Sequence, residues 1–276
     1  MSTLNEKLRC YRPLMDLFFP RTCSLCGSPI IDPNCEAICK ACFSKITTPE
    51  QRCARCSAPL GPGIRETTGN AKSNKTSCYY CKRRKWSFRR AHCYTAYHGT
   101  AALAAKKIKQ SSHEPLGIEI GKRIGDWLKQ LDSFDSKVFA CVIPVPQHWM
   151  RRIMVRYNQA DILAERIALE IGLPVNRHSL YRTRWTEKQG TKSIADRLKD
   201  VQDSFACKPS KSIVGSRILL VDDVVTSGAT ANDAARALRL AGANRVEVVA
   251  FARGVGAFDK SRSNQDAGPT DSKNQP

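Results

Sequence analysis

The sequence has no apolar run long enough to cross a bilayer, which excludes a spanning helix. It has no secretory signal either: Asp16 interrupts the only apolar cluster near the N-terminus, and no small-residue cleavage site follows. Acid is scarce, with 25 Asp and Glu against 45 Lys and Arg, a net charge of +20 and a pI near 9.6. With no export signal, the thirteen cysteines read as metal ligands or free thiols rather than disulfides, and the expected compartment is the cytoplasm. The 276 residues, 42% of them hydrophobic, allow one large or two modest domains with a true core.

What is present centres on Ile218-Leu219-Leu220-Val221-Asp222-Asp223-Val224-Val225-Thr226-Ser227-Gly228-Ala229-Thr230. Four aliphatic residues run into the only adjacent acidic pair in the chain. A short hydroxyl- and glycine-bearing loop and an amphipathic helix follow. An apolar run bounded this way predicts a strand buried on both faces of a parallel sheet. Its polar residues then fall at the carboxyl end of the strand, where open α/β sheets bind ligands. Backbone N–H groups over 226–230 would face an anion at the start of the helix, and Gly228 lets the backbone approach closely. Two carboxylates beside an anion cradle suit vicinal hydroxyls, Mg²⁺, or both.

This stretch resembles the phosphoribosyl-pyrophosphate (PRPP) signature of type I phosphoribosyltransferases. The resemblance implies that Asp222 and Asp223 bind the ribose hydroxyls, and that Thr226, Ser227, Gly228, Ala229 and Thr230 hold the 5-phosphate.

Four Cys-x-x-Cys pairs precede it: Cys23/Cys26, Cys39/Cys42, Cys53/Cys56 and Cys78/Cys81. Each pair places two thiolates on one ion, and two pairs make a tetrahedral Zn²⁺ site with no open position, hence a structural one. Sequential pairing gives two zinc ribbons; spacing alone leaves interleaved pairing open. Cys35 reads as a spectator inside the first ribbon. A thioredoxin-type redox role needs a single motif on a βα unit, which is absent.

Residues 82–110 carry nine cations and no acid: Lys82, Arg83, Arg84, Lys85, Arg89, Arg90, Lys106, Lys107 and Lys109. Trp86, Phe88, Tyr94 and Tyr97 are interleaved. A basic groove with stacking aromatics holds single strands without sequence preference; the competing reading is a solvated face with the aromatics turned into the core. The last 22 residues carry three cations and three acids, so the excess positive charge lies in 1–254. That predicts a polyanionic partner: nucleic acid, PRPP itself, or both.

The remaining pattern predicts a short amphipathic helix over 4–18, a loop over 57–77, helices over 99–110 and 115–131, and a strand over 138–143. Pro144-Val145-Pro146 stiffens its exit. Further helices follow from about Asn158 to Ile171 and over 229–241, with a strand over 245–251. Residues 181–200 read as a cationic mobile loop. The expected division is an N-terminal helix with a double zinc ribbon (1–93), an α/β domain (94–254), and a polar disordered tail (255–276).

The order of elements is more telling than any one motif. A paired-cysteine module precedes the lysines at 106–109, Pro144-Val145-Pro146, and an Arg-rich turn into Tyr157-Asn158-Gln159-Ala160. Thr186 with Gln189, Arg197 and the 218–230 signature follow. This order resembles the ComF family, associated with DNA uptake, over about residues 18–254. The family usually has Arg-Gly-Phe or Arg-Arg-Phe where this chain has Val155-Arg156-Tyr157, and Arg-x-x-Asn where it has Arg197-Leu198-Lys199-Asp200. The resemblance implies a twisted, mostly parallel α/β sheet of the type I phosphoribosyltransferase fold behind the zinc module. It also implies PRPP with Mg²⁺, and pyrophosphate contacts among Arg151, Arg152, Arg156, Lys188 and Arg197.

Two functions follow. The chain transfers phosphoribose to an unidentified acceptor, or it is a non-catalytic PRPP sensor that binds single-stranded nucleic acid, working with other competence proteins. The residue directly after Met1 is Ser2 and not a cysteine nucleophile, so glutamine-dependent amidotransfer is not expected. A purely structural zinc adaptor is the third reading.

Overall fold

The computed structural model describes residues 20–33, 35–49, 51–60, 77–147, 157–183 and 201–254. The helix expected over 4–18, most of the 57–77 loop, the 255–276 tail, the Thr186/Gln189 loop and all five candidate pyrophosphate contacts (Arg151, Arg152, Arg156, Lys188, Arg197) lie outside the described residues.

Two one-turn helices, α1 (Lys40–Phe43) and α2 (Tyr79–Arg83), each begin directly after a cysteine, Cys39 and Cys78. The α/β part follows as β1 (Ala91–Ala96), α3 (Gly99–Lys107), α4 (Glu114–Lys129), β2 (Cys141–Pro144), α5 (Gln159–Ile171), β3 (Leu180–Arg182), β4 (Phe205–Cys207), β5 (Arg217–Val225), α6 (Ala229–Leu240) and β6 (Arg245–Arg253). The helices expected from residue 99 onward and the late strands are present within a few residues. The strand expected over 138–143 starts later, because residues 136–138 form a 3₁₀ turn capped by the Asp135 carboxylate. β3, which pairs antiparallel with β4, overlaps the start of the 181–200 segment expected to be loop. Three residues are too few to show a strand's period.

Four strands form one parallel sheet in the order β1-β6-β5-β2. Both faces of β5 are covered, which explains its unbroken apolar run. Leu219 and Val221 face a layer made by α3, α4 and α5; Ile218 and Leu220 face α6 and the β3–β4 hairpin. All four are fully buried. α4 and α5 pack closely because α4 presents glycines: a Cβ on Gly125 would fall 2.4 Å from Glu170 Cβ. Asn158 caps α5, its side chain accepting from Ala160 N–H at 3.3 Å, and Gly172 ends it in the left-handed conformation. Among the described residues, no helix is long and apolar enough to cross a membrane.

Candidate active site and zinc centres

β5 carries Asp222 and Asp223 near its carboxyl end, in the middle of the sheet. The helix after β5 starts at Ala229, where the sequence placed it. Only Thr226, Ser227 and Gly228 are non-helical, while Ala229 and Thr230 already belong to the first turn of α6. Gly228 has φ +80°, which suits glycine. Ser227 Oγ accepts from Ala229 N–H at 3.3 Å. The other N–H groups of a first helical turn have no acceptor within the helix, an arrangement whose chemistry suits an anion.

Each acid uses one carboxylate oxygen locally. Asp222 Oδ1 accepts from Asp223 N–H at 2.8 Å, and Asp223 Oδ1 from Val224 N–H at 2.9 Å. Strand alternation sends the two side chains to opposite faces. Asp223 Oδ2 meets the helical layer, where Gln159 Nε2 donates to it at 3.2 Å and Lys109 Nζ pairs with it at 3.3 Å. Gln147 Nε2 donates to Gln159 Oε1 at 2.8 Å, holding that amide in place. On the other face, Arg182 of β3 lies near Asp222 and Asp233. Burial pulls its pKa below the ordinary value, and the charges of those two acids oppose the fall. Asp233 itself accepts from three successive backbone N–H groups, Asp203, Ser204 and Phe205, at 3.2, 2.9 and 3.2 Å. It thereby fastens the hairpin to α6 in spite of its 4% exposure.

The eight paired cysteines form two clusters, Cys23/Cys26/Cys39/Cys42 and Cys53/Cys56/Cys78/Cys81, with the sulfur atoms of each within 4.8 Å of one another. Pairing is therefore sequential, and Cys35 belongs to neither cluster. The donor chemistry fits structural Zn²⁺. Backbone N–H groups point at the sulfurs, as thiolates require: Leu25 and Cys39 N–H at 3.4 and 3.3 Å from Cys23 Sγ, and Cys78 N–H at 3.3 Å from Cys53 Sγ. Cys93, next to the second cluster, is pushed up to about 12 by burial and stays a thiol.

The aromatics of the basic stretch pack against the core: Phe88 is buried, and Trp86, Tyr94 and Tyr97 are half-buried. Phe88 stacks on Trp86 with centroids 5.2 Å apart, and Tyr94 packs edge-on to Trp127 and stacks on Phe251. Lys82, Arg83, Lys85 and Arg89 are exposed, so this surface matches the reading of a solvated cationic face more closely than that of a stacking platform.

Sequence reasoning named the acids, the loop and the thiols but missed how they are held. Lys109 and Gln159 figured only as parts of longer stretches, although each reaches Asp223. Arg182 and Arg253 carry no motif; a cation at a strand end beside a glycine is the one signal Arg253 offers.

The chain matches the double zinc ribbon domain family over residues 14–82 and the phosphoribosyl transferase domain family over residues 158–273. It is 32% identical to Competence protein F of Haemophilus influenzae over 118 residues, which is 42% of this chain and 52% of that protein, so the match spans about half of that relative. It is 23% identical to DNA utilization protein YhgH of Salmonella typhi over 243 residues, covering 86% of this chain and 99% of that protein. Among solved structures, a glutamine PRPP amidotransferase from B. subtilis aligns at 23% identity over 48% of this chain and 26% of its own, with a TM-score of 0.32. The double zinc ribbon and phosphoribosyl transferase domain matches, together with homologues named Competence protein F and DNA utilization protein YhgH, support the placement of this chain in the ComF family.

Proposed function

We propose that the protein binds PRPP at Asp222, Asp223 and residues 226–230 and transfers its phosphoribosyl group to a nitrogen nucleophile. The observation that carries this reading is the junction of β5 and α6. Two buried acids and a helix-start cradle adjoin at the carboxyl edge of the central strand. The cradle suits a phosphate and the acids suit the adjoining pentose.

In such a transfer the bond from C1 of the ribose to pyrophosphate breaks as the nitrogen bond forms, through a transition state with oxocarbenium character. Positioning and charge neutralisation supply most of the rate. Asp222 and Asp223 accept hydrogen bonds from the ribose hydroxyls. Binding there competes with Lys109 for Asp223 Oδ2 and lets that ammonium turn to the departing pyrophosphate. Hard carboxylate oxygens fit Mg²⁺, which when bound with Asp222 and Asp223 would neutralise pyrophosphate charge.

The test is a calorimetric titration of Mg²⁺–PRPP into the wild type and an Asp222→Ala/Asp223→Ala double variant. Binding in the first and its loss in the second supports the reading. No binding to zinc-loaded wild type overturns it. The names of the Haemophilus and Salmonella relatives, a competence protein and a DNA utilization protein, support a role in handling DNA, and the compartment we propose for it is the cytoplasm. The exposed Lys82, Arg83, Lys85 and Arg89 favour a second reading, a PRPP sensor that touches single strands through their phosphates. Its mark is single-strand affinity falling steeply with salt, together with PRPP binding without turnover.

A further inference from the structure

Arg253 ends β6 and is 2% exposed. Its guanidinium spans two parts of the molecule. Nε donates to Cys56 O at 3.0 Å, and Nη2 lies 3.9 Å from Cys56 Sγ, both in the second ribbon. Nη1 donates to Val225 O at 2.7 Å, to Gly254 O at 3.3 Å, and to Thr226 O. Val225 and Thr226 carry the chain out of β5 into the cradle. In a trans peptide the C=O and the following N–H point in opposite directions. Fixing the carbonyls of Val225 and Thr226 on Arg253 therefore aims the N–H groups of Thr226 and Ser227 away from the ribbon.

The same loop is held at two further points by the segment that follows Cys81. Trp86 lies against Gly228: a Cβ there would meet its Cη2 and Cζ3 at 3.2 Å. Ser87 N–H donates to Asn232 Oδ1 at 2.8 Å in the first turn of α6, and Asn232 N–H in turn donates to Gly228 O at 2.8 Å. The loop is thus gripped at its start, its middle and its far end, each time from the strand bonded to the second ribbon or from the segment that leads out of that ribbon, whose Trp86 packs against the ribbon's cysteines. Contacts of the first ribbon lie elsewhere, on α3 and α4.

We propose that the second zinc ribbon is the positioning element of the phosphate loop, and that Arg253 is the positioning residue through which it acts. The proposal rests on the reading that residues 226–230 hold the 5-phosphate of PRPP. A lysine keeps the charge at position 253 but not the planar fork that reaches Cys56 and Val225 together.

The test compares full-length wild type with Arg253→Lys by three measurements: bound zinc, Mg²⁺–PRPP affinity, and backbone hydrogen exchange over 225–232 with α4 as internal reference. The expected result is unchanged zinc, PRPP affinity down by about tenfold, and faster exchange confined to 225–232. Unchanged affinity and unchanged exchange in a zinc-loaded variant overturn the proposal. If wild type does not bind PRPP, the reading of the site fails, while loop exchange still decides whether Arg253 orders the loop. Should Arg253→Lys not fold, Trp86→Leu carries the same three measurements from the second grip, with the same expected and overturning results.

Discussion

The two zinc ribbons are alike in ligands and differ in how they are docked. The first offers backbone donors: the N–H groups of Glu36, Ala37 and Ile38 converge on one oxygen of Glu119 in α4, at 3.1, 2.7 and 3.0 Å. Arg123 pairs with the other oxygen at 2.8 Å and stacks over Phe43. Lys107 adds a bond to Ser24 O. The second ribbon meets Arg253 as an acceptor, through Cys56 O, and it also closes the sheet's edge with donors and acceptors. Ser57 Oγ donates to Ala91 O at 2.7 Å and accepts from Cys93 N–H at 3.2 Å, Arg55 O accepts from Ala91 N–H at 2.8 Å, and Arg52 donates to Cys93 O at 3.1 Å. A bare edge strand invites pairing with another chain; here the ribbon fills that place. One module, used twice, stabilises a helical layer through an acid and reaches the candidate site through a base.

The largest effects come from the zinc ligands, because metal binding is folding free energy for so small a unit, on the order of 10 kcal/mol. Cys26→Ser and Cys78→Ser should each lose one zinc, open one ribbon to protease and lower the melting temperature. Only Cys78→Ser should abolish PRPP binding and speed exchange over 225–232. Equal loss of PRPP binding in both variants would break the division of labour between the ribbons. A chelator that leaves circular dichroism and proteolysis unchanged would remove zinc from the account altogether.

Glu119→Ala comes next. Glu119 is 5% exposed, so its removal strands three backbone donors in a buried place and leaves Arg123 without its acid. The expected cost is about 3 kcal/mol of unfolding free energy. Limited proteolysis should then cut the first ribbon first, while PRPP affinity stays at the wild-type level. A matching fall in PRPP affinity would mean that the helical layer, too, positions the site.

Much of this was legible beforehand, for identifiable reasons. A strand buried on both faces must be apolar throughout, so β5 shows itself; a turn that needs positive φ shows itself as Gly228; and paired thiols show themselves by spacing. The docking was not legible. Glu119 and Arg253 act as single side chains across 81 to 83 and 197 residues of sequence, and no local period records such a contact. Asp233 gives no more warning, since an acid in the first half of a helix is ordinary. The aromatics left two readings open for the converse reason. Interleaving with cations marks a stacking platform only if the rings face out; Phe88 belongs to the core on one side of the sheet and Tyr94 packs against the core on the other, as the competing reading had it.

A smaller effect sharpens the second ribbon's side of the comparison. Gly228→Ala places a side-chain-bearing residue at φ +80° and sets its Cβ 3.2 Å from the Trp86 ring. The backbone term costs about 1 kcal/mol, and the contact with Trp86 adds to it. Thermal unfolding should show a loss of about 1–2 kcal/mol. If the ring truly presses on the loop, combining Gly228→Ala with Trp86→Leu should recover part of that loss, so the two changes are non-additive. Strict additivity would leave Trp86 as a bystander.

The smallest expected effect tests whether the seam between β1 and β6, rather than Arg253, transmits the second ribbon's hold. His92 Nε2 and Glu247 Oε2 lie 2.9 Å apart across that seam, with Phe134 edge-on to the imidazole. Burial alone would raise the Glu247 carboxyl; the hydrogen bond and charge of His92, with the charges of Arg90 and Arg245, outweigh it and hold the pKa below the ordinary value. A carboxyl depressed in the folded state contributes stability that is present above its unfolded pKa and is lost as pH falls through its folded pKa. Wild type should therefore exceed Glu247→Gln by about 1 kcal/mol at neutral pH, and the gap should close on acidification below the ordinary carboxylate range. Because the comparison is between two proteins with identical zinc sites, release of zinc by acid affects both alike. PRPP affinity at neutral pH should be the same in the two. A fall in affinity with Glu247→Gln would show that the loop senses the ribbon through the register of β1 on β6, and Arg253 would then be one contact among several.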